Sequence, residues 1–142
     1  MELKQAVQHK VERGEVWIVN LGRNKGCMQS GVRPCIVISN NLANAHSPVI
    51  NVIPVTSKNK SKNVLPTHVP IGNKDGLNDG STALAEQVQL VNKSELVRSI
   101  GKVSSKILHE LEVATLVQIG LVNKIKSITQ HGKSQMVACK SF

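Results

Sequence analysis

Val49-Ile50-Asn51-Val52-Ile53-Pro54-Val55 contains five β-branched residues in seven and no glycine. So short an apolar run, bounded by turn formers, is a strand largely buried on both faces. Two similar runs precede it, Val16-Trp17-Ile18-Val19 and Cys35-Ile36-Val37-Ile38, set apart by Gly, Asn, Ser and Pro. Shorter strand candidates follow at His68 to Ile71 and at Ser81 to Gln89, with Asp75-Gly76 and Asp79-Gly80 as turn chemistry between them. Strands of this length in close succession predict a compact, strongly bent β-barrel.

The pattern changes from Ser104. Ile107, Leu108, Leu111, Ala114, Thr115, Gln118 and Ile119 fall at helical spacing, interrupted only by Thr115 and Gln118. This predicts a closing helix from about Ser105 to Asn123, N-capped by Ser104 or Ser105. Neither serine is followed three residues later by Glu or Gln, so the start lacks a capping box. Ser127 to Phe142 has no periodicity and reads as a flexible basic tail.

The 142 residues suffice for one domain with a real core, and 40% apolar with 19% charged residues is a globular composition. No apolar run approaches the ~20 residues of a membrane span, and Met1 to Lys10 lacks the apolar block of a secretory signal. A cytoplasmic protein is therefore expected. Cys27, Cys35 and Cys139 form an odd set without C-x-x-C spacing, which points to reduced thiols, not to a disulfide framework or a zinc site. Trp17 and Phe142 are the only aromatic residues, which excludes RNA modules that stack bases on an aromatic sheet.

Charge is distributed unevenly. The chain carries a formal +9, and the 59 residues from Val16 to Lys74 contain no Asp or Glu but hold Arg23, Lys25, Arg33, Lys58, Lys60, Lys62 and Lys74. A barrel built mainly from this stretch projects a positive field suited to a polyanion such as nucleic acid.

Five ordered blocks then narrow the reading: Arg13-Gly14-Glu15-Val16-Trp17, Gly31-Val32-Arg33-Pro34, Pro54-Val55-Thr56-Ser57, Leu65-Pro66-Thr67-His68-Val69 and Glu86-Gln87. Together they resemble the MazF/PemK family of toxins over roughly Val11 to Val122. The resemblance implies a mainly β (α+β) fold, an SH3-like β-barrel of the CcdB/MazF/Kid type with a C-terminal helix. It divides the chain into a toxin domain at 1–122 and, at 123–142, the end of the helix and the basic tail. It further implies a homodimeric, cofactor-free endoribonuclease that cleaves single-stranded RNA, is neutralised by an acidic, MazE-like antitoxin, and binds DNA as the toxin–antitoxin complex. Two other readings remain on the same sequence: a non-catalytic toxin on the same barrel, such as a gyrase poison, and a basic RNA-binding module.

Metal-free RNA cleavage uses the substrate's own 2′-hydroxyl as nucleophile, so the protein must align it, stabilise charge on the phosphorane oxygens and manage two protons. Arg33, between Val32 and Pro34 at the mouth of a strand, suits the second task; a guanidinium keeps its proton at neutral pH and acts by charge. Thr56 offers a hydroxyl to a phosphate oxygen, and Ser57 a second one. Arg33, Thr56 and Ser57 are the expected catalytic group. Gln29, Gly31, Lys58, Lys60, His68, Glu86 and Gln87 are expected at the RNA-binding surface: the lysines on phosphates, Gln87 and Glu86 on base edges. No metal-ligand cluster is evident. The chain departs from the family in one loop, where many members carry an acid in a pattern like Gly-Ser-Glu-Gln and this sequence reads Gly26-Cys27-Met28-Gln29-Ser30-Gly31. Met28 cannot take a proton, so either that carboxylate is dispensable or the 2′-hydroxyl is activated by phosphate neutralisation and positioning.

Overall fold

The strand predicted at Val49 to Val55 is the one around which the others are arranged. A computed structural model describes residues 10–23, 26–57, 65–72, 77 and 80–122. Seven strands occur there: β1 (Glu15–Asn20), β2 (Val32–Val37), β3 (Val49–Thr56), β4 (His68–Pro70), β5 (Thr82–Leu84), β6 (Gln89–Asn92) and β7 (Leu96–Lys102). Two helices join them, α1 (Asn41–His46) and α2 (Ser105–Gln118). The pairing is antiparallel in the order β4-β5-β3-β2-β1-β7, with β6 also on β3. The sheet bends in the manner of a barrel but is not closed, since β4 and β7 stand at its two ends.

Alternation along the central strands fills two cores, one on each face of the sheet. Ile36, Ile53 and Val55 join Val16, Val69, Ala83, Leu111 and Ala114 in the first. Cys35, Val37, Ile50 and Val52 join Trp17, Val19, Leu21 and Val91 in the second. Burial on both sides explains why these runs read as continuous apolar stretches.

One edge of β3 is shared by β5 and β6. Val55 pairs with Ala83 and Val52 with Gln89, so three steps along β3 correspond to six along the other chain. The three surplus residues, Ala85–Gln87, leave the strand as a single 3-10 turn before β6 resumes the pairing. The continuous strand expected from Ser81 to Gln89 is thereby interrupted, and the interruption lifts Glu86 and Gln87 out of the ladder.

Helix α2 lays Leu111 and Ala114 into the first core, with Ile107 and Leu108 beside them. Its N-cap is Ser104, whose side chain accepts from the Ile107 N–H at 3.2 Å. The helix was expected to reach Asn123 but stops at Gln118. Gly120, at φ +76°, takes the left-handed conformation that ends it, and Leu121 N–H and Gly120 N–H bond back to the carbonyls of Leu116 and Val117. The short helix α1, which ends at His46, is capped by the Asn40 side chain on Ala43 N–H at 2.8 Å. Asp75-Gly76, Asp79 and the tail beyond Val122 lie outside the described residues. Because the Ser104 side chain satisfies a helix-end donor, Ser104→Ala is expected to cost ~1 kcal/mol of stability. A lowered urea midpoint with an unchanged slope measures it.

Candidate active site

β2 and β3 are paired at Val37↔Val52, Ile36↔Ile53 and Cys35↔Pro54, and the pairing stops there. Pro34 in β2 and Pro54 in β3 bring no N–H to a ladder. Continuing the register two residues further sets Arg33 opposite Thr56 at the end where the two strands part. Thr56 pairs on its other side with Thr82 of β5, and Arg33 on its other side with Val19 of β1. By parity all four belong to the face of the Trp17 core. Arg33 and Thr56 are thus at the open end of that face, both partly buried, and Ser57 follows as an exposed residue in a bend.

The Arg33 side chain is held from the β1–β2 loop. Its Nε–H donates to the Ser30 carbonyl at 2.8 Å, and one terminal nitrogen donates to Gln29 Oε1. Among the described residues no carboxylate pairs with Arg33, and the N–H groups of its other terminal nitrogen have no protein acceptor. A fixed guanidinium with no carboxylate partner among the described residues and donors to spare has the chemistry to bind a phosphate.

The loop is itself fastened. Gly31, at φ +78°, closes its base: the Gly31 N–H donates to Gly22 O at 2.7 Å and its carbonyl accepts from Leu21 N–H at 2.9 Å. A Cβ on Gly31 would meet nothing within 4 Å, so backbone conformation and not space calls for glycine. Gln29 N–H donates to Gln87 Oε1 at 3.2 Å, and Gln89 Nε2 donates to the Gln29 carbonyl at 3.2 Å. Gln87 Nε2 also reaches the Cys27 carbonyl, at 3.5 Å. Met28, in the place of the family's loop acid, is 49% exposed. Cys27 is exposed, whereas Cys35 is buried beneath Arg33, and that burial pushes its thiol up to about 12 against the opposing pull of the Arg33 charge. Cys35 is therefore an inert packing residue.

His68 and Glu86 meet on the other flank. Glu86 Oε1 lies 2.8 Å from His68 Nε2, and Glu86 Oε2 accepts from Thr67 Oγ1 at 2.7 Å. The Leu65 N–H also approaches His68 Nδ1, at 3.4 Å. Burial raises the Glu86 carboxyl, but hydrogen bonds from Thr67, from its own backbone and from His68, with the His68 charge, outweigh this and hold it below the ordinary value. The His68 side chain is 9% exposed. The structure thus gathers Arg33, Thr56, Gln29, Gly31 and Gln87 around one mouth and sets His68 and Glu86 as a bonded pair beside it. Lys58 and Lys60 lie outside the described residues.

Sequence reasoning passed over two residues. Thr82 is legible only through its cross-strand partner Thr56, and Gln89 only once the three-residue excursion is known. Among the described residues no helix is long and apolar enough to cross a membrane, and no group of three or more His, Cys, Asp or Glu side chains is placed to hold a metal ion.

Known proteins share this fold. The chain is 34% identical over 113 residues to the Endoribonuclease MazF of Staphylococcus saprophyticus subsp. saprophyticus, spanning 78% of this chain and 92% of that one. Among solved structures it is similar to an endoribonuclease in complex with its cognate antitoxin from a Mycobacterial species, at 25% identity and a TM-score of 0.65, covering 78% of this chain and 96% of that one. MazF from Deinococcus radiodurans shares the fold, with a TM-score of 0.69 at 21% identity over 79% of this chain and 98% of that one. The family model of PemK-like, MazF-like toxins of type II toxin-antitoxin systems matches residues 12–119. With the conserved architecture and most of the chain covered, this protein belongs to the PemK-like, MazF-like toxin family.

Proposed function

We propose that the protein is the toxin of a type II toxin-antitoxin system and acts as a ribosome-independent endoribonuclease, cutting single-stranded RNA at specific sequences. The observation that carries this reading is the mouth between β2 and β3, where the register continued past Cys35↔Pro54 sets Arg33 opposite Thr56 and guanidinium donors are not engaged by described residues. The substrate's 2′-oxygen attacks the adjacent phosphorus, the bond to the 5′-oxygen breaks, and the proton lost from the 2′-hydroxyl is balanced by one gained at the departing 5′-oxygen. The products are a 2′,3′-cyclic phosphate, opening to a 3′-phosphate, and a 5′-hydroxyl. Arg33 stabilises the charge that builds on the phosphorane oxygens. Thr56 and Ser57 donate hydroxyl hydrogens to the same phosphate. The reaction draws on no cofactor.

The RNA-binding surface extends from this mouth across Gln29, Gly31 and Gln87 on one side and His68 and Glu86 on the other. Lys58 and Lys60 add phosphate affinity without sequence choice. The active form is a homodimer in the cytoplasm. Its inhibitor is a small acidic antitoxin whose charge complements the acid-free stretch from Val16 to Lys74, and whose segment covers Arg33 and Thr56.

Incubation of the purified protein with end-labelled single-stranded RNA in EDTA tests the reading. Discrete cuts at fixed sequences are expected. Binding without cuts would replace it with a plain RNA-binding module, and neither cuts nor binding would favour a non-catalytic toxin.

A further inference from the structure

Gln29 is gripped at every polar group except its side-chain amide nitrogen. Its N–H is held by Gln87, its carbonyl by Gln89, and its side-chain oxygen by Arg33. The two backbone bonds sit on either side of the Gln29 Cα, so together they fix the residue's orientation and with it the direction in which Oε1 points. On the N-terminal side of Gln29, Cys27 and Met28 are exposed and bring no apolar anchor. The fixed end of the grip is Gln89, which is 6% exposed and seated in β6 opposite Val52, whereas Gln87 belongs to the 3-10 excursion.

We propose that Gln89 is a positioning residue for the catalytic arginine: from the rigid floor of β6 it clamps the β1–β2 loop through Gln29, and so sets the pose of the Arg33 guanidinium. The inference rests on the ribonuclease reading for its kinetic consequence, but the pose itself is a property of the protein alone. Gln29 is the link, bonded to Gln89 by its backbone and to Arg33 by its side chain. Ser30, the next residue, supplies the carbonyl that receives Arg33 Nε–H at 2.8 Å, so a loop released at Gln29 loosens both bonds to the guanidinium. A guanidinium off its pose by an ångström still attracts RNA, but it meets the phosphorane poorly. The loss therefore falls on kcat and not on KM.

The test compares wild type with Gln89→Met, which keeps the volume and removes the donor, and with Gln29→Ala, which cuts the link in the loop without touching the core. Two readouts are taken on folded protein. The first is the NMR signal of Arg33 Nε–H: its exchange with water is expected to rise about ten-fold in either variant, as the Ser30 bond opens. The second is cleavage of the RNA substrate, in which kcat is expected to fall about ten- to a hundred-fold, with KM nearly unchanged in Gln89→Met, and the double variant to be no worse than the poorer single one. A merely structural Gln89 would lower the melting temperature but leave the Arg33 signal of folded molecules unchanged. That result, or fully additive losses, overturns the proposal. Should Gln89→Met not fold, Gln89→Asn, which keeps the amide but shortens its reach to the Gln29 carbonyl, is read in the same way. Wild-type protein that cuts no RNA would defeat the ribonuclease reading, while the NMR comparison would still decide whether the clamp exists.

Discussion

Arg33→Ala is expected to lower the RNA cleavage rate by about 100- to 1,000-fold while leaving the protein folded, because one preorganised donor to a developing oxyanion is removed. The fold survives because Arg33 is only partly buried and, among the described residues, its side chain bonds to Gln29 and Ser30 of a surface loop. Its neighbour Cys35, not Arg33, carries the core contacts of that row. Arg33→Lys separates charge from geometry. A lysine ammonium keeps the positive charge but cannot hold Gln29 Oε1 and the Ser30 carbonyl while also presenting a planar fork to phosphate. Its activity is expected between wild type and Arg33→Ala. The measurement is single-turnover cleavage with the melting temperature taken on the same samples. Near-normal turnover by folded Arg33→Ala would remove the residue from the mechanism.

An RNA substrate with a single 2′-deoxy sugar on the 5′ side of the cut is expected to resist cleavage entirely at that site, although it still binds. The proposed reaction takes its nucleophile from the substrate, and neither Arg33 nor Thr56 can replace a missing 2′-oxygen. The nearest thiols give no alternative: Cys35 is buried with its thiol near 12, and ribonucleolysis through a 2′-hydroxyl needs no covalent intermediate on Cys27. Binding persists because phosphate contacts and loop hydrogen bonds do not depend on that hydroxyl. Electrophoresis of the modified and unmodified strands side by side decides the matter, and efficient cutting of the deoxy substrate would show that water or a protein group is the nucleophile.

The parts of the fold legible in the sequence are those whose burial leaves a periodic trace. β1, β2 and β3 are buried on two faces and read as β-branched runs. α2 buries one stripe and is capped by a serine, so its start was legible to within a residue. Its end was overrun because Leu121 and Val122 prolong the apolar pattern past Gly120, whose backbone conformation decides the matter. β7 left no trace because it ends the sheet, and Val97, Arg98 and Ser99 are exposed. α1 is a helix of six residues, too short to show a stripe. The break between β5 and β6 carries neither Gly nor Pro, so Ser81 to Gln89 reads as one strand. In the site, Arg33 and Thr56 were recognisable from their blocks, and their juxtaposition adds a register that only the pairing supplies. Gln89 was not recognisable, because its partner is 60 residues away in the chain.

The three-residue excursion between β5 and β6 restricts how this chain can change length. With three surplus residues, Thr82 and Gln89 face the same side although their sequence positions differ by an odd number. Loss of one residue from Ala85–Gln87 would leave two resolutions. β6 could keep its pairing across a tighter turn with Glu86 or Gln87 displaced, or slide one step along β3 and rotate Gln89 and Val91 away from the Trp17 core. The first removes a partner of His68 or of Gln29, and the second empties a packed site. Side chains in this segment are free to diversify one at a time, but insertions and deletions there act on the loop clamp and the core at once, so relatives that differ in length are expected to differ elsewhere.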